Sequence, residues 1–238
     1  MGWHDAAFYN MCRPLEMVFS NGMDCGEQIG PKTGDVEQMQ TFEEFYDAYK
    51  TQQNYFISLL VNADNSIDQA HADRAPLPFL ASMVDDCIKR GKTCEQGGCV
   101  YNFTGPQGFG IANVADSLYA VKKLVFDEKK VTGKELLDAV RDNWVGHEKL
   151  YALVNSDYVH HYGNDDDYAD ALAKFGIETY CKHVNGKPTA HGGHFQAGVY
   201  SVAVNVALGQ MQDASVEGRK SGEPISDCMG AAHTLCCP

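Results

Sequence analysis

The sequence predicts an α/β fold, and three observations predict it. Several segments carry helical apolar periodicity behind clear start signals, two short runs of strand formers are nearly continuous in apolar residues, and the chain has no repeat or low-complexity segment. The first helix opens at Thr41-Phe-Glu-Glu44, a capping-box pattern in which a hydroxyl and a carboxylate satisfy the first free N–H groups. Phe42, Phe45, Tyr46, Tyr49, Phe56 and Leu60 follow at helical spacing, so a buried face is expected to about Leu60. Ala75-Pro-Leu-Pro78 breaks the pattern before a second apolar run, Phe79 to Ile88. Thr132-Gly-Lys-Glu135 repeats the capping box ahead of Leu136, Leu137 and Val140. A further helix is expected from Asp167 to about Val184, with Asp165-Asp166-Asp167 at its start, where carboxylates meet the positive end of the helix dipole. Val100-Tyr-Asn-Phe-Thr104 and Val199-Tyr-Ser-Val-Ala-Val-Asn-Val206 read as strands covered on both sides, as in the interior of an α/β fold.

Composition narrows the function classes. The 238 residues are 44% hydrophobic and 21% charged, enough to bury a core, and 19 Lys+Arg against 32 Asp+Glu leave a net charge of -13. Phosphate backbones are bound by clustered cations, so neither a nucleic acid nor an anionic membrane is an expected partner. No stretch reaches the roughly 20 apolar residues of a membrane span, and the first residues lack an export signal. A cytoplasmic location follows as the expectation. Nine cysteines, an odd number scattered through helical text, fit reduced thiols. Cys94 and Cys99 have no second ligand pair at zinc spacing, and no metal is expected.

Two motifs invite sharper readings. Gly105-Pro-Gln-Gly108-Phe-Gly110-Ile-Ala-Asn113 joins a strand to a helix with Val114, Leu118, Val121 and Val125 as its apolar stripe, the layout of a phosphate-binding turn. Pro106 occupies the turn and Asn113 replaces the third glycine, so a tight structural turn is the better reading. The pair His160-His161 and the segment His191-Gly-Gly-His194 lack the i, i+4 spacing that sets two imidazoles on one metal.

Five segments carry a resemblance to a known family: Gly2-Trp-His-Asp-Ala-Ala-Phe8; Asn62-Ala-Asp-Asn65 with His71 and Arg74-Ala-Pro-Leu-Pro-Phe79; Tyr101-Asn-Phe-Thr-Gly-Pro-Gln-Gly108; Gly192-Gly-His-Phe-Gln196; and Glu217-Gly-Arg-Lys-Ser-Gly-Glu-Pro224. Together they resemble the glycyl radical enzymes of the pyruvate formate-lyase superfamily, in the branch of glycerol and 1,2-diol dehydratases. The resemblance implies part of a ten-stranded α/β barrel with its C-terminal half incomplete, spanning residues 1–227, followed by a divergent tail at 228–238. It implies a lyase of anaerobic metabolism that removes water from a small diol such as glycerol or 1,2-propanediol. A C–N or C–S bond-cleaving lyase, a formate acetyltransferase-like member and a non-catalytic remnant are the alternatives.

In this family a glycyl radical takes a hydrogen atom from a cysteine, and the resulting thiyl radical takes one from substrate. Neither the cysteine motif nor the glycine motif occurs in this sequence, so the resemblance implies an internal piece that is inactive alone. It implies no bound cofactor, a radical installed elsewhere by an S-adenosylmethionine-dependent activating enzyme, and a homodimer at full length. Asp5 matches the acid that orients a substrate hydroxyl, with His4 beside it, and both are the expected catalytic residues. Ser201, Ala203, Val202 and Val204 match the strand that shapes the substrate pocket, where alternation sends Ser201 and Ala203 one way and Val202 and Val204 the other. No arginine lies between Pro188 and Gly218, which favours a neutral diol over a sulfonate.

Overall fold

A computed structural model describes residues 2–3, 6–228 and 230–233. In chain order the elements are β1 (Gly2–Trp3), β2 (Phe8–Asn10), α1 (Cys12–Phe19), β3 (Met23–Asp24), β4 (Glu27–Gln28), α2 (Phe42–Arg74), α3 (Pro78–Ser82), α4 (Cys87–Arg90), β5 (Phe103–Thr104), β6 (Gln107–Phe109), α5 (Ile111–Val121), α6 (Gly133–Arg141), α7 (Glu148–Val154), α8 (Asp167–Val184), β7 (His194–Phe195) and α9 (Val204–Gln210). A 3-10 turn at Val36–Gln38 and a π-helical turn at Lys122–Asp127 complete the set. The chain forms two compact units: Met1–Tyr9, Phe56–Gln107 and Tyr180–Gly198 make the first, and Asn10–Tyr55, Gly108–Thr179 and Val199–Pro238 make the second. No described helix is long and apolar enough to cross a membrane.

The first unit is built on a parallel sheet in the order β1-β5-β7, with Gly2 opposite Phe103 and Phe103 opposite His194. Parallel neighbours must come from distant segments, and here polar side chains of α2 tie those segments down. Asn65 Nδ2 donates to Pro188 O at 3.2 Å, and its Oδ1 accepts the Ala190 N–H at 2.8 Å. Thr104 Oγ1 donates to Asp68 Oδ2 at 3.0 Å, and His191 Nε2 lies 3.2 Å from the same oxygen. Gly193 packs against the backbone beside β5, where a Cβ would stand 2.1 Å from Asn102 O. The turn from Ala75 to Pro78 ends α2 at Arg74 and places Pro78 in the first turn of α3, as its fixed φ favours.

The second unit is mainly helical, and its centre is α5, every residue of which is buried. Its apolar residues face the core, and its buried polar side chains Asn113, Asp116 and Ser117 each have partners inside the unit. The early part of α2 packs an aromatic cluster in which the Phe45 ring lies 5.4 Å from Phe19 and 6.3 Å from Phe126. Both expected helix starts form. Glu135 N–H donates to Thr132 Oγ1 at 3.1 Å while Thr132 N–H donates to Glu135 Oε2 at 2.8 Å, a complete capping box. At Thr41 the hydroxyl accepts the Glu44 N–H at 3.2 Å, but the Glu44 carboxylate takes the N–H of Gln40. Asp166 caps α8 by accepting the Ala169 N–H at 2.7 Å.

Two strand expectations need correction. Residues 100–102 are not strand, and Val100 and Tyr101 are 50% and 77% exposed, so only Phe103–Thr104 of that run enters the sheet. The run at 199–206 is loop to Ala203 and then the start of α9. A strand needs a neighbour to take its N–H and C=O groups. The ladder reaches this segment only as the single parallel bridge between Gln107 and Gly198. Beyond it, Val-Asn-Val-Ala-Leu-Gly-Gln satisfies its own backbone as a helix instead, and the alternation argued for Ser201, Val202, Ala203 and Val204 does not hold.

Candidate functional site

In the second unit a buried carboxylate gathers polar side chains from α5 and from the segment after α9. Glu217, wholly buried, accepts from Asn113 Nδ2 at 2.7 Å, Ser117 Oγ at 2.7 Å and Ser215 Oγ at 2.8 Å. Asn113 and Ser117 are one helical turn apart on α5, which is why both reach the same group. Asn113 also accepts the Ser226 N–H at 2.6 Å through its Oδ1. Arg219 adds the counter-charge without touching Glu217 directly: its Nε donates to Ser215 Oγ at 3.1 Å, and its remaining donors go to the carbonyls of Gln212, Asp213, Lys220 and Glu223. The segment 212–226 is thus pinned to α5 by a satisfied network, the only form in which a buried charge is tolerated.

A cavity of about 440 Å³ opens beside this network, with Cys12, Arg13 and Glu16 of α1, Asn113 and Ser117 among its lining residues. Arg13 is held by the carboxylates of Glu16 and Asp24, the latter at 2.6 Å. Burial, and then the charge of Glu217, holds the Cys12 thiol well above the ordinary cysteine range, and Cys12 Sγ donates to Gly110 O at 3.4 Å. Both features favour the thiol of Cys12 over the nucleophilic thiolate. Glu217 already holds three donors, whereas Glu16 Oε1 at the cavity wall is buried without a partner, so the cavity can bind a small polar molecule and keeps one carboxylate oxygen open to it.

The glycine turn is closed to phosphate. Gly110 sits in the left-handed region at the start of α5, and a Cβ there would meet Cys12 Sγ at 2.5 Å and Ile225 Cδ1 at 3.4 Å. The Gly110 N–H donates to Ser226 O, so Cys12, Ile225 and Ser226 occupy the place an anion would take.

An acid–imidazole cluster lies elsewhere in the same unit. Asp116 Oδ1 accepts the Tyr162 N–H at 2.7 Å, Asp116 Oδ2 stands 3.4 Å from His161 Nδ1, and the rings of His161 and His233 are 4.4 Å apart. Burial raises the Asp116 carboxyl against the opposing pull of His161, and lowers the His233 imidazole. The ligand atoms of these three lie within 4.8 Å of one another, as do those of Cys87, Cys94 and Cys99 in the first unit. His160, by contrast, is exposed and bonded to Asp166 at 2.6 Å.

Of the residues expected from the sequence, His4 and Asp5 lie outside the described residues. Ser201 and Ala203 are exposed, and Val202 and Val204 are half-buried, on the loop before α9 and its first turn. None of the four lines the cavity beside Glu217. What the sequence reading missed is the partnership of Asn113 and Ser117 with Glu217, about a hundred residues on. The one available signal was the density of polar residues in the Glu217 motif.

Comparison with known proteins decides the family. The model of the pyruvate formate lyase-like family matches residues 1–209. The chain belongs to the pyruvate formate lyase-like family. It is 50% identical over 235 residues to the (2S)-3-sulfopropanediol dehydratase of Klebsiella oxytoca, covering 98% of this chain and 28% of that protein. Among solved structures it is similar to the glycerol-bound B12-independent glycerol dehydratase of Clostridium butyricum, at 48% identity and a TM-score of 0.92 over 95% of this chain and 29% of that one. A structure concerned with 1,2-propanediol dehydration in Roseburia inulinivorans matches at 51% identity and a TM-score of 0.91, with the same coverage. This pyruvate formate lyase-like chain spans less than a third of the length of those relatives, and its fold is part of the α/β barrel that the sequence resemblance implied.

Proposed function

We propose that this chain forms part of a glycyl radical dehydratase that removes water from a small vicinal diol. The observation that carries the reading is that relatives named for three such reactions match nearly the whole chain at 48–51% identity. Their named substrates share two adjacent hydroxyl-bearing carbons, so the common chemistry is loss of one hydroxyl as water while the carbon bearing the other becomes a carbonyl. The part assigned to this chain is orientation and proton handling: Asp5 accepts a hydrogen bond from a substrate hydroxyl and, with His4, assists its departure. Ser201, Val202, Ala203 and Val204 contribute small side chains near the substrate. No radical step is assigned to residues of this chain, because the family's cysteine and glycine motifs do not occur in it. The radical, its activating enzyme, a homodimer and a cytoplasmic setting belong to the same proposal.

A neutral diol is favoured over a sulfonate. Sulfonate recognition calls for a guanidinium with free donors, and the segment from Pro188 to Gly218 has none. Arg219, the next along the chain, has its donors on backbone carbonyls and Ser215. The test is anaerobic turnover by a full-length enzyme carrying this segment, activated with S-adenosylmethionine and its activating enzyme, on glycerol, 1,2-propanediol and 3-sulfopropanediol in parallel. Faster aldehyde formation from the neutral diols is expected. Preference for the sulfonate would overturn the substrate assignment, and failure on all three with a normal radical yield would overturn the diol reading.

A further inference from the structure

Three cysteines that the sequence spreads over a dozen positions meet in the first unit. Cys87, Cys94 and Cys99 are 2%, 4% and 1% exposed, and Ala81, Leu80 and Val84 pack around them. Cys87 Sγ stands 3.9 Å from Cys94 Sγ and 3.9 Å from Cys99 Sγ, and all three sulfurs fall within 4.8 Å of one another. These distances are far too long for a disulfide, whose sulfurs sit about 2.05 Å apart. They agree instead with a tetrahedral metal site: two thiolates each about 2.3 Å from zinc at the tetrahedral angle are about 3.8 Å apart.

The backbone is shaped to make this meeting. Four residues separate Cys94 from Cys99, within the C-x2–4-C spacing of structural zinc sites, and the loop between them is a tight turn in which Gly98 N–H donates to Thr93 O at 2.9 Å and Gly97 N–H to Cys94 O at 3.0 Å. Gly97 has φ +76° and a Cβ on it would lie 2.2 Å from His191 O, while one on Gly98 would lie 2.3 Å from Lys92 O. Cys87, the first residue of α4, closes the third corner. Arg90 braces this corner: it donates through Nη1 to Cys99 O at 3.2 Å and through Nη2 to Asp86 Oδ2 at 2.8 Å, next to Cys87 in the chain.

We propose that Cys87, Cys94 and Cys99 form a zinc site with three thiolate ligands, which fixes the loop 93–99 to α4. The fourth position falls to water or another small ligand. The three cysteines bind zinc as thiolates. Zinc displaces their protons on binding. The site is independent of diol chemistry, and the assignment stands or falls apart from it.

The experiment uses the whole chain, reduced and stripped of metal, titrated with cobalt(II) and then zinc(II). The expected result is one tightly held ion per chain, with a thiolate-to-cobalt charge-transfer band and the intense visible bands of tetrahedral cobalt, both abolished by zinc. X-ray absorption of the zinc form should show about three sulfurs at about 2.3 Å. Alkylation followed by peptide mapping should find Cys87, Cys94 and Cys99 shielded by zinc while the exposed Cys25 reacts. Cys94→Ala and Cys99→Ala should each reduce bound zinc at least tenfold. The wild-type spectrum and the shielding pattern decide the matter even where a variant fails to fold. Absence of the thiolate band, shielding that spares these three cysteines, zinc retained in both variants, or a disulfide among the three in protein isolated with air excluded would each overturn the assignment.

Discussion

Glu217 offers the sharpest test of how the second unit is held together. In Glu217→Gln the amide carbonyl can take the place of Oε1 and keep the donors Asn113 Nδ2 and Ser215 Oγ, while the amide nitrogen takes the place of Oε2 and donates to Ser117, whose hydroxyl turns to accept. All three contacts survive at neutral strength. The loss is about 1 kcal/mol for each bond that ceases to be charge-assisted, and it is offset by the desolvation penalty that a neutral side chain escapes, leaving a net cost of about 1 kcal/mol. Glu217→Leu behaves differently. Asn113 cannot turn its amide round, because its Oδ1 holds the Ser226 N–H at 2.6 Å, so its NH₂ is left buried without an acceptor. Together with the two stranded hydroxyls, that costs about 3–5 kcal/mol.

Urea unfolding, followed at Trp144 in a Trp3→Phe background, measures both variants. Trp144 is 3% exposed and lies in the same unit as Glu217, so its emission reports the structure at stake. The gap between Gln and Leu should be about 2 kcal/mol or more in extrapolated stability at an unchanged slope. Equal losses in the two variants would refute the reasoning, since the carboxylate's charge and not its hydrogen bonds would then be what matters. A loss under 1 kcal/mol in the Leu variant would show that the network is decoration.

Three further outcomes are expected. Burial, and then the charge of Asp68, pushes the Asp64 carboxyl up to about 6; the folded state therefore holds a proton that the unfolded chain has lost, stability falls as pH rises from about 4 to about 6, and Asp64→Asn should gain about 1–2 kcal/mol at pH 8 and nothing at pH 4. Chemical unfolding across that range checks it, and a variant with the parental pH slope would dismiss Asp64 as the cause. Gly193→Ala should cost more than 2 kcal/mol because its Cβ meets a backbone carbonyl at 2.1 Å, whereas Gly192→Ala, with φ +87° and open space around it, should cost only about 1 kcal/mol of backbone strain; thermal unfolding that reversed this order would contradict the packing argument. In a full-length enzyme, Asp5→Asn should slow diol turnover about 100-fold to 10,000-fold with radical content unchanged by electron paramagnetic resonance; a lost radical signal would make the role of Asp5 structural.

What could be read from the sequence was what is decided locally. The Thr132 capping box and the proline break after Arg74 depend on groups within four residues, and each forms as expected; within the acidic run at the start of α8, Asp166 supplies the cap. The helical pattern covers Thr41 to about Leu60, and α2 runs on to Arg74. The extension is held by side chains such as Asn65 and Asp68, whose partners stand more than thirty residues away, beyond the reach of any periodicity argument. The strand expected at 199–206 failed for the same reason in reverse: its residues favour a strand, but sheet propensity is realised only beside a partner.

The same division explains why the motifs identified the family while saying little about chemistry. Asn65, Asp68, Thr104 and Gly193 hold the parallel sheet of the first unit, and Asn113, Glu217 and Arg219 hold the segment after α9 in the second. Each is a polar or glycine position fitted to a particular neighbour, side chain or backbone, and a replacement there leaves a buried group unpaired or a carbonyl overlapped. Asn113 shows this most clearly. Read locally, it is the residue that spoils a phosphate-binding turn; in the fold it is the one side chain of that turn that joins the start of α5 to both Glu217 and Ser226. A residue that looks like a defect in one motif is there because it completes another, and only the three-dimensional partner says which.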